Sequence, residues 1–197
     1  MIAHIEGKIA EKYPTHLIID IGGLGYEVKI SLNTYAEIKE AESAKLFTHF
    51  HVKEDSQTLF GFSHSSERKR FLDLVSISGV GPSTAIMILS SLSPSELQHA
   101  IVGEDVKTIQ SVKGIGLKTA QRIVLELKDK MKKEGLLEKT AEIPLKSNNT
   151  LSSEALSALV TLGIPKATAE KTINLITKEY GPELSLEELI KLALKRA

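Results

Sequence analysis

The feature that most constrains this chain is an internal repeat at an offset of 35 residues. Ser76-Ile77-Ser78-Gly79-Val80-Gly81-Pro82-Ser83-Thr84-Ala85 aligns with Ser111-Val112-Lys113-Gly114-Ile115-Gly116-Leu117-Lys118-Thr119-Ala120, and Ile88 and Ile123 extend the match. Each copy lies between two segments of helical period, so Gly-hydrophobic-Gly is a tight link between helices. Glycine reaches φ > 0 and lets another backbone approach closely. The second glycine starts a helix whose first amides have no internal acceptor. Those amides and the helix dipole attract an anion. Val80 and Ile115, between the glycines, suit core plugs that fix each hairpin. A lone Gly-x-Gly would read as a glycine-capped turn with no ligand. Two copies in register, each followed by the same Thr-Ala, favour phosphate binding instead. The pattern suits a tandem helix-hairpin-helix, and two such units straddling one minor groove are expected to hold both strands of duplex DNA by the backbone. Such contacts position a protein without reading base sequence. The expected DNA contacts are Gly79, Val80, Gly81, Ser83 and Thr84 in the first copy. In the second they are Gly114, Ile115, Gly116, Lys118, Thr119 and Arg122.

The rest of the chain fits around this block. Its 197 residues are more than one compact domain usually needs, so two or three small domains are expected. Residues 1–62 read as strands over Ile2–Ile9, His16–Ile21, Tyr26–Ile30, Lys45–Val52 and Thr58–Phe62, with Asn33 capping a short helix through Ile38. Five strands and one helix suit an OB-type barrel. Residues 63–133 are helical: Glu67–Ile77, Pro82–Ser91, a helix capped by Ser93 and Glu96, Glu104–Ile109, and Leu117–Lys132. Residues 134–150 lose periodicity and read as a flexible linker. Residues 151–197 form three short helices, with Gly163, Pro165 and Ser185 as punctuation. Leu156, Leu159 and Val160, and then Leu189, Leu192 and Ala193, give the outer two a core face. The expected class is α+β multidomain: an N-terminal OB-fold barrel, a central all-α tandem helix-hairpin-helix domain and a C-terminal three-helix, UBA-like domain.

Charge sharpens the reading. The formal net charge is zero, which at first argues against nucleic acid, but the charge is unevenly spread. Residues 1–62 carry 6 basic and 9 acidic side chains, a net of −3; residues 63–133 carry 11 and 7, a net of +4; the remainder carries 8 and 9, a net of −1. The basic block is the one with the hairpins. With no cysteine, disulfides and thiolate metal sites are excluded. His49 and His51 share one strand face, but a closed zinc site wants about four ligands and no further ones suggest themselves. Seven of the nine aromatics fall in residues 1–62, where barrel core and subunit packing account for most. No stretch approaches the ~18 apolar residues of a membrane span, and no signal peptide is evident, so a cytoplasmic location is expected.

Several segments together resemble the RuvA family, the Holliday-junction branch-migration subunits of bacteria. They are Gly22-Gly23-Leu24-Gly25-Tyr26-Glu27-Val28, Phe47-Thr48-His49-Phe50, Glu54-Asp55 before Leu59-Phe60-Gly61-Phe62, both glycine hairpins, and Ala155–Ile164. The resemblance spans nearly the whole chain. It implies a homotetramer of barrels forming a square platform for a four-way junction, with a second tetramer clamping the other face as an octamer. It implies a hexameric ATPase partner, RuvB, docked on the tail, and a junction resolvase, RuvC, as a further partner. It makes Glu54 and Asp55 an acidic pin, although alone they read as a solvated hairpin tip. Three positions depart from the family's pattern. Ser83 stands where a basic residue is frequent, Lys113 where proline is common and Leu117 where lysine is common.

Two other functions compete. A repair enzyme could use the hairpins as a handle, but residues 63–133 offer no coherent catalytic set and no catalytic residue is expected. A single-strand-binding barrel could stack bases on the aromatics. No Gly-rich Lys-Ser/Thr phosphate loop is present, so ATP hydrolysis is expected in the partner and no cofactor or metal in this chain.

Overall fold

A computed structural model describes residues 1–141, 148–181 and 184–196. The chain forms two compact units, Met1–Leu136 and Leu137–Ala197.

The first unit begins with β1 (His4–Tyr13), β2 (His16–Ile21), β3 (Leu24–Ile30), α1 (Leu32–Ile38), β4 (Ser43–Val52) and β5 (Gln57–Phe62). The strands close into a barrel in the order β1-β2-β3-β5-β4. Every seam is antiparallel except the parallel β3–β5 pair that closes it. Alternation puts Ile5, Leu17, Ile19, Val28, Ile30 and Leu46 inside. This is the five-stranded OB barrel that the strand pattern predicts. Helix α1 is capped two residues earlier than the sequence suggests. Ser31, rather than Asn33, accepts from Thr34 N at 3.0 Å. Asn33 instead donates to the carbonyls of Leu89 and Leu92, at 2.6 and 3.2 Å. At the other end of α1, Lys12 Nζ donates to the carbonyls of Ile38, Lys39 and Ala41, so the cation meets the negative end of the helix.

Next come α2 (Ser65–Val75), α3 (Pro82–Ser91), α4 (Pro94–Val102), α5 (Val106–Gln110) and α6 (Leu117–Ala141). Phe60 and Phe62 of β5 do not serve the barrel core. They project outward into the helical core and meet Phe71 of α2, with ring centroids 5.1 and 5.0 Å apart. His49 meets the same ring at a tilt, with centroids 5.4 Å apart, and its burial, then the neighbouring His51 and Arg68, lower its pKa. Buried phenylalanines contribute roughly 1.5–3 kcal/mol each, so this seam joins barrel and helices firmly.

Helix α2 also carries three buried charges: Glu67, Arg70 and Asp73. Arg70 donates to Asp73, Glu134 and Gln98 at 2.8–3.0 Å, and Lys130 reaches Asp73 at 2.6 Å. Burial pushes the Glu134 carboxyl up, but hydrogen bonds from Arg70 and Lys69 hold it below its ordinary value. These pairs fasten the far half of α6. The helix runs on through Ala141, into the stretch expected as a linker from 134. The rest of that stretch, 142–147, lies outside the described residues, and α7 starts at Asn148.

The second unit holds α7 (Asn148–Thr161), α8 (Lys166–Tyr180) and α9 (Leu186–Arg196). Gly163 turns the chain at φ 94° and Pro165 caps α8. Ser185 and Glu188 form a reciprocal cap on α9. Leu159, Ile173, Ile176 and Leu189 fill the core. Val160, expected there, is 44% exposed.

Glu67 joins α1, β5 and α2. Ser31 Oγ and Thr34 Oγ1 donate to its two carboxylate oxygens, and Thr34 Oγ1 accepts from Ser63 N at 3.1 Å. Burial raises its pKa, only partly opposed by those two hydrogen bonds. The folded chain therefore holds the Glu67 proton more tightly than the unfolded chain. Its contribution to stability is complete below the ordinary carboxylate value and is lost as pH rises through the raised value. Urea denaturation across that window should show this slope in the wild type and a flatter profile in Glu67→Gln. Glu67→Ala, which leaves two buried hydroxyls without acceptors, should cost about 2–3 kcal/mol.

Candidate nucleic-acid interface

The two glycine hairpins are near-copies in space. The first links α2 to α3 and the second links α5 to α6. Gly79 and Gly114 adopt φ of 91° and 85°. Val80 N donates to Ile77 O at 3.0 Å, and Ile115 N to Val112 O at 3.1 Å. Ala85 N closes on Gly81 O at 2.9 Å, as Ala120 N does on Gly116 O at 3.0 Å. Burial repeats in the same register. Ile77, Val80, Ala85 and Ile88 are inside, and so are Val112, Ile115, Ala120 and Ile123. The side chains of Val80 and Ile115 are therefore core plugs, and only their backbone can face a ligand.

Gly79, Gly81, Gly114 and Gly116 are all exposed. Their roles differ. Gly79 and Gly114 need positive φ, which side chains rarely tolerate. Gly81 has an extended backbone at φ −83°, and Gly116 also lies outside the left-handed region. Among the described residues, a β-carbon at either would meet nothing within 4 Å. Nothing among the described residues requires glycine at 81 or 116. What a side chain there would obstruct is the outward approach to the helix starts. At α3 the amides of Ser83 and Thr84 lack intrahelical acceptors, and at α6 so do those of Leu117, Lys118 and Thr119.

The remaining expected contacts surround these amides. Ser83 and Lys118 are exposed at equivalent positions, and Thr84 and Thr119 are half-buried at the next. Arg122 is exposed but paired with Glu126 at 2.6 Å. Lys113, which the sequence flags only as a departure, stands exposed beside Gly114; the 35-residue offset could have found it, because it matches exposed Ser78. Met87 Sδ would lie 3.9 Å from a β-carbon on Gly114, so the first hairpin's helix flanks the second hairpin. Glu104, at φ 58°, precedes α5 and is bonded to Lys128 of α6, which braces the second hairpin from behind. Glu54 and Asp55 form the exposed tip of the β4–β5 hairpin, closed by Lys53 N donating to Ser56 O at 2.8 Å.

Among the described residues no group of three or more His, Asp or Glu is arranged to hold a metal, and no helix is long and apolar enough to cross a membrane.

Three family models match successive segments of the chain. The RuvA N terminal domain matches residues 1–61, a SAM-like helix-hairpin-helix tandem matches 71–129, and the RuvA C-terminal domain matches 150–197. A protein of Cytophaga hutchinsonii, described as a Holliday junction branch migration complex subunit RuvA, is 54% identical over 99% of both chains. The chain belongs to the RuvA family. Proteins of the same description from Amoebophilus asiaticus and Christiangramia forsetii are each 50% identical, over 99% and 100% of this chain and the whole of theirs.

The glycine geometry separates two effects within this RuvA scaffold. Gly79→Ala and Gly114→Ala force a side chain into the left-handed region and should each cost about 1–2 kcal/mol. Gly81→Ala and Gly116→Ala should unfold within about 0.5 kcal/mol of the wild type. Thermal denaturation of the four variants checks the contrast.

Proposed function

We propose that this protein binds four-way DNA junctions by shape rather than sequence and holds them open for an ATP-driven motor. The observation that carries this is the pair of exposed glycines, Gly81 and Gly116, which nothing inside the fold requires. Each clears the way to a helix start, and the two sites belong to adjacent copies of one motif. Two phosphate-directed amide clusters on neighbouring hairpins suit the two backbones that flank a minor groove. Gly79, Val80, Gly114 and Ile115 shape the loops. Ser83, Thr84 and Thr119 add hydroxyls, and Lys118 and Arg122 add charge. No base-reading set accompanies them, so binding is independent of sequence.

Glu54 and Asp55 act differently in this reading. As an acidic tip on the barrel they repel phosphate and keep continuous duplex off the centre of the platform. A homotetramer sets four such tips around the crossover, and a second tetramer on the opposite face completes an octamer. The curated relatives are named as branch migration complex subunits. By that likeness the partner is a hexameric ATPase, RuvB, which the three-helix tail engages, with the resolvase RuvC as a further visitor. The protein itself is a binding subunit of the cytoplasm, and ATP hydrolysis belongs to the motor. The chain's own chemistry supports this division, since it has no Gly-rich Lys-Ser/Thr phosphate loop.

Titration on an immobile junction and on linear duplex of matched sequence tests the reading. The junction should bind at least roughly tenfold more tightly, about 1.4 kcal/mol. Gly81→Ala and Gly116→Ala, though folded, should each weaken junction binding by a similar factor. Equal affinity for junction and duplex at physiological salt overturns the proposal.

The acidic tip makes a separate prediction. Glu54→Lys combined with Asp55→Lys should raise duplex affinity several-fold, in keeping with about 1 kcal/mol between unit charges 4 Å apart in water. Junction affinity should hold or increase. Loss of junction binding with duplex binding unchanged would make the tip an attractive or structural element.

A further inference from the structure

The two hairpins share a scaffold but not a surface. Their buried positions match pair by pair, and so do their exposed ones. At three equivalent exposed positions the first hairpin has Ser78, Ser83 and Met87 where the second has Lys113, Lys118 and Arg122. The contrast extends along the chain. Residues 76–95 contain no charged side chain at all. Lys113 and Lys118 make no ion pair among the described residues, so their charge is open to solvent. Arg122 is partly offset by Glu126. The barrel does not make up the difference. The groove lined by Ser83, Ile86 and Ser90 is completed by Glu27, Lys29 and His16, an acid and a base of opposite sign with one histidine.

We infer that the two hairpins hold phosphate by different physics: the second by cationic charge, the first by uncharged amides and hydroxyls. The inference rests on the phosphate-gripping reading above and assigns its electrostatic part to one side. One strand of the bound duplex is then held by a salt-sensitive contact. The other is held by hydrogen bonds that dissolved ions hardly screen. Counterion release on binding comes mainly from the second hairpin. Its signature is the slope of log affinity against log salt, about 0.9 per phosphate neutralised on duplex DNA.

Junction affinity measured over a salt series separates the two sides. Lys113→Ser with Lys118→Ser makes the second hairpin resemble the first and should flatten the slope by about 2 for each protomer engaged, roughly 7 for a homotetramer on one junction. The reciprocal pair, Ser78→Lys with Ser83→Lys, should steepen it by about 2 for each protomer engaged and raise affinity at low salt. Gly81→Ala should lower affinity by a similar factor at every salt concentration, leaving the slope as in the wild type. If Gly81→Ala flattens the slope as much as the double lysine variant does, cations from elsewhere serve the first hairpin and the inference fails. If Gly81→Ala and Gly116→Ala both bind like the wild type across the series, the phosphate-gripping reading fails and takes this inference with it. Circular dichroism of each variant confirms that a loss is not unfolding.

Discussion

Phe71 settles where the hairpins stand. It is fully buried, with Phe60 and Phe62 of the barrel on one side and the helical core on the other. Because these rings interlock, barrel and hairpins cannot move as separate bodies without opening this apolar seam. The acidic tip on β4–β5 and the glycines after α2 are thereby held in one frame. They flank the same joint, since β5 begins at the tip and α2 ends at the first hairpin. An acidic surface and a surface of open helix-start amides are thus kept at a fixed separation.

The same short helix handles charge on its other faces. Glu67 faces the barrel, and Arg70 and Asp73 face α4 and α6. Buried ion pairs add little net stability, because desolvation offsets much of the attraction. What they add here is register. An apolar face would tolerate α6 sliding by a turn, whereas Arg70 donates to Glu134 in one register. Since α6 begins at the second hairpin, that register also sets the second glycine pair.

Much of this was legible in the sequence. The 35-residue offset announces the hairpins, and the buried plugs Val80 and Ile115 lie where the motif puts them. What escaped depended on partners distant in the chain. Ser31 and Asn33 are equally good caps by type; only the carbonyls of Leu89 and Leu92 decide that Asn33 is used elsewhere. Period-two alternation puts Phe60 and Phe62 on one strand face but cannot say that helices rather than the barrel cover that face. The far end of α6 is held by Glu134 and its cationic partners, which leave no trace in hydropathy. Val160 sits beside a true core residue, Leu159, and a coarse helical stripe does not separate neighbours at its edge.

Asn33 also shapes how the molecule carries tension. Helix α3 is open at its start, where Gly81 faces outward, and bolted at its end, where Asn33 and Leu32 of the barrel bond to Leu89, Ser90 and Leu92. A pull applied at the first hairpin therefore runs along a stiff rod and reaches the barrel directly. A pull at the second hairpin travels down α6 and reaches α2 through Lys130 and Glu134. The two routes end on different parts of the scaffold, one on hydrogen bonds at a helix terminus and the other on buried ion pairs. The two hairpins are thus tied to the scaffold by anchors of unlike chemistry, and loosening one leaves the other in place.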